Sequence, residues 1–94
     1  MTIRFDLADL QAFAAVAELG NFRKAAERVN LTQPAFSRSI QAMETATGMQ
    51  LFERSSGAAR PTPAGDFLIA RARQLLFDAR TLERRIKKME EWLA

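Results

Sequence analysis

The sequence has 94 residues, of which 48% are hydrophobic, and a formal net charge of +3. This size and composition predict one globular domain and argue against a disordered chain. Cysteine and histidine are absent, which removes disulfides, the commonest metal ligands and the commonest general base. We therefore expect no enzyme activity and no cofactor or metal. No stretch resembles a signal peptide or a membrane span, so a cytoplasmic protein without membrane attachment is expected.

Two short helices are predicted near the N-terminus. Asp6 is a good N-cap for the first helix, and Gly20 is suited to end it. Asn21 can cap a second helix over residues 22–29, which presents Arg23 outward. Asn30 then tolerates the left-handed conformation that a tight turn requires. The apolar residues of both helices recur at helical spacing, so each helix is expected to bury one face.

A third helix is predicted over residues 33–47, capped by Thr32 and ended by Gly48. At 100° per residue, its apolar side chains fall in one sector and its polar side chains in the opposite one. Two helices joined by a short turn, the second with a polar outer face, are typical of a helix-turn-helix. A plain amphipathic core helix with a solvated face is the alternative. Amide, hydroxyl and guanidinium groups, however, are those that contact base edges and phosphates. The outward residues are Pro34, Ser37, Arg38, Gln41 and Thr45.

A β-hairpin is predicted over residues 51–61. Leu51 and Phe52 favour a strand, and the sequence "SSG" at residues 55–57 favours a turn. A hairpin directly after a helix-turn-helix is a wing. Its flanks carry Arg54 and Arg60, which suit phosphate contacts on either side of a groove, although each could also be an ordinary surface arginine.

The last third is predicted to be one long helix, capped by Thr62 with Pro63 at its first position. Its apolar residues alternate steps of four and three, which is a heptad pattern and indicates a coiled coil. Packing along its own domain would account for Phe67, Leu68 and Leu75, whereas the C-terminal part requires another chain. The predicted dimer interface comprises Leu68, Ala72, Leu75, Ala79, Leu82, Ile86, Met89 and Leu93.

Four motifs carry a family resemblance, in order and at the family's spacing: "GNFRKAAE", "LTQPAFSRSI", "LFER" and "TPAG". From about residue 7 onward the chain resembles the N-terminal DNA-binding domain of LysR-type transcriptional regulators. The resemblance implies a winged helix-turn-helix followed by a linker helix through which two subunits pair antiparallel. It also implies that the third helix enters the major groove and that the wing lies near the minor groove. Gln33, Pro34, Ser37 and Arg38 occupy the family's DNA-contacting positions.

The sequence departs from the family pattern at several positions. The wing tip has Ser56 and Gly57 where the family often has arginine or lysine, so Arg60 is the nearest substitute for a cation there. Arg23 replaces a small hydroxyl residue and adds a candidate phosphate contact. Ser39 replaces a common glutamine or arginine, which could alter base preference. Family members continue into a larger effector-binding domain, so this chain is expected to be an isolated DNA-binding fragment or a naturally short protein.

We therefore expect a mainly α protein, with a winged helix-turn-helix in residues 1–62 and a dimerisation helix in residues 63–94. The expected partners are double-stranded DNA carrying an interrupted inverted repeat and a second copy of the chain, with a tetramer in the full-length protein as a further expectation. The alternative is a coiled-coil interaction protein without DNA readout. The predicted base contacts are Gln33, Pro34, Ser37, Arg38 and Gln41, and the predicted phosphate contacts are Arg23, Thr32, Arg38, Arg54 and Arg60.

Overall fold

The computed structural model describes residues 6–93. The elements are α1 (Leu7–Leu19), α2 (Phe22–Arg28), α3 (Gln33–Thr47), β1 (Phe52–Ser55), β2 (Ala58–Pro61) and α4 (Pro63–Leu93). This order confirms the predicted mainly α fold with a two-stranded hairpin and a long C-terminal helix. The division into two domains stays a prediction, and its end points at residues 1 and 94 lie outside the described residues.

The helix boundaries follow the predicted capping residues. The side chains of Asp6, Asn21 and Thr32 each accept a hydrogen bond from the backbone N–H three residues further along. Gly20 and Gly48 end α1 and α3 in the left-handed conformation, with φ of 65° and 69°. Local capping chemistry therefore accounts for where α1, α2 and α3 begin and for where α1 and α3 end.

Four phenylalanines join the helices and the hairpin into one core. The ring centroids of Phe13 and Phe52 lie 5.4 Å apart, and those of Phe22 and Phe36 lie 5.5 Å apart. Phe22 also meets Phe52 edge-on at 5.9 Å. All four side chains are buried. Because they come from α1, α2, α3 and β1, their packing fixes the hairpin against the three helices.

The inward face of α4 differs from both the predicted heptad face and the alternative of packing through Phe67, Leu68 and Leu75. Phe67 and Leu75, which the alternative of packing along its own domain would have buried, are 66% and 51% exposed. Leu68 is half-buried against the main core. The apolar arc of α4 is wide enough to form two neighbouring faces, one buried in its own chain and one exposed. The face that α4 buries in its own chain consists of Gly65, Ile69, Ala72 and Leu76.

Ala72 is therefore wrong as a dimer contact. It is 1% exposed and belongs to a small cluster with Leu10 of α1 and Leu76. A side chain so completely covered by its own subunit has no surface left for a partner. One face of the first half of α4 is thus packed against the winged domain.

Candidate nucleic-acid interface

The polar face of α3 lies where the sequence predicted it. Phe36, Ile40 and Met43 are buried on one side. On the other side, four of the five predicted base-contacting residues are exposed on the first three turns of the helix, and the fifth, Ser37, is half-buried beside them. The helix therefore presents hydroxyl, guanidinium and amide groups outward on a rigid backbone. The exposed members are Gln33, Pro34, Arg38 and Gln41.

The hairpin is held against the turn between α1 and α2. Its loop consists of Ser56 and Gly57, both with positive φ (48° and 82°), as the two central residues of a type I′ hairpin turn require. The side-chain amide of Asn21 donates to the Gly57 carbonyl at 2.9 Å. The Ala59 N–H donates to the Gly20 carbonyl at 3.0 Å. These two bonds fix the position of the hairpin tip.

The Arg54 side chain extends from β1 toward the polar face of α3. Its guanidinium carbon is 3.7 Å from the centroid of the Phe22 ring, an arrangement that favours a cation over the aromatic face. Arg54 lines two adjoining clefts, one shared with Arg23 and Gln33 and one shared with Ser37 and Gln41. We call the surface formed by these five residues the polar groove. It brings two predicted phosphate contacts and three predicted base contacts together.

Arg60 lies outside the polar groove. In the hairpin register Glu53 pairs with Arg60, and Arg54 pairs with Ala59. Paired residues share a face of a hairpin and successive residues alternate, so Arg54 and Arg60 are on opposite faces. The predicted phosphate contact of Arg60 stays a prediction, but it would have to be made from the other side of the wing.

Thr32 and Ser39 have structural roles that bear on the predicted contacts. The Thr32 hydroxyl oxygen caps α3 by accepting from Ala35 N–H at 3.3 Å, which leaves its proton free for a phosphate. The Ser39 hydroxyl donates to the Asp9 carboxylate at 3.0 Å. Ser39 thus bonds α3 to the start of α1 and faces away from the polar groove. A long-range bond of this kind has no signature in the local sequence pattern.

Glu44 is a residue of the polar groove region that the sequence did not suggest. Its carboxylate accepts from the backbone N–H of Leu51 at 2.7 Å and of Phe52 at 3.3 Å. It also lines the cleft that contains Ser37 and Gln41. The acidic character of this position was visible in the sequence, but its partners, seven and eight residues away across a turn, were not.

From Leu75 to its C-terminal end, α4 exposes an apolar stripe to solvent. We call Leu75, Leu82, Ile86, Met89 and Leu93 the apolar seam; each is between 48% and 77% exposed. Trp92, which the heptad pattern did not include, is 89% exposed next to it. Single exposed apolar residues are ordinary, but a continuous stripe on one side of a helix indicates an interaction surface. Within residues 6–93 nothing covers it.

The fold and the polar groove together define a class of protein. A helix-turn-helix with an outward polar second helix, a hairpin wing beside it and a long C-terminal helix is a winged helix-turn-helix domain of the DNA-binding type. Among the described residues, no helix combines the length and apolar character that a bilayer crossing needs.

Comparison with known proteins places this chain more narrowly. Residues 7–66 match the family model described as "Bacterial regulatory helix-turn-helix protein, lysR family". The chain belongs to that family. It is 42% identical over 85 residues to the SDS degradation transcriptional activation protein of a Pseudomonas species, an alignment that covers 90% of this chain. The chain spans only 28% of the length of that relative.

Solved structures agree with the family assignment. The structure of a CbnR_DBD–DNA complex has a TM-score of 0.82 and 35% identity, covering 90% of this chain and 98% of that one. The structure of a BenM_DBD/catB site 1 DNA complex has a TM-score of 0.85 and 36% identity, covering 90% and 94%. Both structural neighbours are complexes with DNA.

Proposed function

We propose that this chain binds double-stranded DNA sequence-specifically as a homodimer and is the DNA-binding part of a bacterial transcriptional regulator. In this proposal, α3 (Gln33–Thr47) enters the major groove and the wing, residues 51–61, lies near the adjacent minor groove. The target is an interrupted inverted repeat, because a two-fold dimer presents two identical surfaces to two half-sites.

The polar groove is the observation that carries the proposal. It combines the guanidinium of Arg54 with the amide groups of Gln33 and Gln41 on one accessible surface. An α-helix fits the width of the major groove, and these groups match the donors and acceptors on base edges and phosphates. Both structural neighbours named above were solved with DNA, which supports the same assignment by similarity.

Base contacts are assigned to the outward side of α3. A glutamine amide can bond two groups of adenine at once, and a short hydroxyl can bond several base edges. Gln33 and Ser37 are therefore the principal candidates. Arg38 is assigned to a base or a phosphate, since it lies at the edge of the polar face. Pro34 and Gln41 complete the base contacts, and Arg23, Thr32, Arg54 and Arg60 are assigned to phosphates.

Dimerisation is assigned to the apolar seam. A single winged module contacts few base pairs, so useful discrimination requires two modules on one frame. α4 has 31 residues, which corresponds to a rod about 46 Å long. Its exposed C-terminal half gives a second copy an apolar surface to cover. Leu68 and Ala79 lie at the margin of this surface and remain assigned to it.

Replacing Gln33 with alanine should weaken binding to a preferred sequence more than binding to random DNA. Loss of a good base contact costs about 1–3 kcal/mol, whereas phosphate contacts are unchanged. The probe is a duplex selected by the wild-type chain from a random-sequence pool, compared with an unselected duplex of equal length. Fluorescence anisotropy gives both affinities.

Two further variants make this measurement interpretable. Gln11→Ala removes the same side chain from an exposed position on α1, away from the polar groove, and should change neither affinity. Arg54→Ala should lower both affinities and make the slope of log affinity against log salt shallower by about 0.9, the effect of one phosphate contact. Equal losses for Gln33→Ala on both duplexes would remove Gln33 from the base contacts.

A further inference from the structure

A short segment behind the wing joins three elements. Gln50, Leu51 and Phe52 connect the end of α3 to β1, and we call them the junction. The Leu51 side chain is fully buried. The Leu51 carbonyl accepts from Thr62 N–H at 3.0 Å, and the Gln50 carbonyl accepts from the Thr62 hydroxyl at 2.6 Å. The start of α4 is therefore bonded directly to the junction.

The remaining side of the junction is bonded to α3 through Glu44. One carboxylate oxygen of Glu44 accepts from both Leu51 N–H (2.7 Å) and Phe52 N–H (3.3 Å). Bonds from backbone donors to a charged acceptor are stronger than neutral ones. Without this acceptor, two N–H groups in a partly buried region would lose their partner, which is costly.

The position of Phe52 determines the position of Arg54. Phe52 is the first residue of β1 and packs against Phe22 at 5.9 Å. Arg54 is two residues later on the same face of β1, and its guanidinium carbon lies over the Phe22 ring, 3.7 Å from the centroid. A shift of the Phe52 backbone would therefore move the Arg54 guanidinium relative to Gln33 and Ser37.

We propose that Glu44 is a positioning residue that fixes the wing relative to the recognition helix, so that both meet DNA as one rigid surface. This inference rests on the proposed function. Glu44 acts through Leu51 and Phe52 and makes no contact with DNA. Its carboxylate lines a cleft of the polar groove, where an unpaired negative charge would repel phosphates. The hydrogen bonds from Leu51 N–H and Phe52 N–H offset part of that charge and direct it toward the junction.

The DNA affinity of Glu44 variants should change in opposite directions if Glu44 positions the wing and if it only repels phosphates. If Glu44 only repels phosphates, removing its charge raises affinity for every duplex. If Glu44 positions the wing, Glu44→Ala lowers affinity for the selected duplex, whereas Glu44→Gln retains an oxygen acceptor and restores most of that affinity. Glu53→Ala is the matched control, because Glu53 is an exposed carboxylate on the same wing, on the face opposite Arg54.

The test combines DNA affinity with amide hydrogen exchange of the free protein. Relative to Glu53→Ala, we expect Glu44→Ala to bind the selected duplex about tenfold more weakly, equivalent to about 1.4 kcal/mol. The amides of Leu51 and Phe52 should lose protection, whereas those of Ile40 and Met43 in α3 keep it. Glu44→Gln should resemble wild type in both measurements.

Several results would overturn the assignment. Unchanged protection at Leu51 and Phe52 in Glu44→Ala, or an affinity equal to that of Glu53→Ala, would remove the positioning role while leaving the proposed function intact. Loss of protection throughout α3 would mean that Glu44 maintains the whole fold and not the wing alone. A wild-type chain that selects no duplex would overturn the proposed function and this inference together.

Discussion

The double variant Leu82→Glu/Ile86→Glu is expected to be a folded monomer. Both side chains belong to the apolar seam and are 59% and 48% exposed in the single chain. Burying each of them against a partner stabilises the dimer by roughly 1.5–3 kcal/mol, and a carboxylate in the same place must be desolvated at a cost. Sedimentation velocity at micromolar concentration measures the change in mass.

Two observations should accompany that result. Circular dichroism should stay mostly helical, because the aromatic core and the contacts of Ile69 and Leu76 lie outside the seam. Affinity for a duplex with two half-sites should fall toward the affinity for one half-site.

Phe77→Glu is the matched control for the double variant. Phe77 is 60% exposed on the same helix but lies on the far side from the seam at 100° per residue. The Phe77→Glu variant should therefore remain a dimer. A double variant that still dimerises, or a wild-type chain that is monomeric, would show that the seam is not the interface.

Replacing Gly65 with alanine is expected to destabilise the fold strongly. Gly65 is in the first turn of α4, and a Cβ there would overlap the Leu51 carbonyl oxygen and lie 3.4 Å from the Pro61 Cβ. Alanine is normally favoured over glycine in a helix by about 0.5–1 kcal/mol. Here the overlap with backbone should outweigh that gain and cost about 2 kcal/mol net. For a domain of this size, such a loss lowers the melting temperature by roughly 8–16 °C.

The control for this effect is an alanine-to-glycine change at an exposed position of the same helix. Ala70 is exposed in α4, so Ala70→Gly should cost only the intrinsic helix preference, about 0.5–1 kcal/mol. A thermal melt followed by circular dichroism compares the two variants with wild type. If Gly65→Ala melts at or above the wild-type temperature, Gly65 does not lie as close to the Leu51 carbonyl as the structure places it.

Much of this fold could be predicted because it depends on local chemistry. The N-caps Asp6, Asn21 and Thr32 act within one helical turn, so their residue types and positions suffice to locate the helix starts. The hairpin likewise follows from its turn residues, Ser56 and Gly57. The polar face of α3 needed only helical periodicity.

The features that the sequence did not predict depend on contacts between distant parts of the chain. α4 carries apolar residues over a wide arc, and only its docking on Leu10 shows that Ala72 and Leu76 belong to the monomer. The opposite faces of Arg54 and Arg60 could have been found from the sequence, because a two-residue turn at 56–57 fixes the register. The bonds of Glu44 could not, since its partners depend on how the chain turns after α3.

The most direct test of the central claim is a titration of the wild-type chain with its selected duplex, followed by sedimentation. The account predicts two chains per duplex. Binding should weaken sharply with salt, and a scrambled duplex should bind about a thousandfold more weakly. Scrambling one half-site should remove most of the affinity. A dimer that binds selected and scrambled duplexes equally, or binds neither, would contradict the claim and favour a coiled-coil interaction protein.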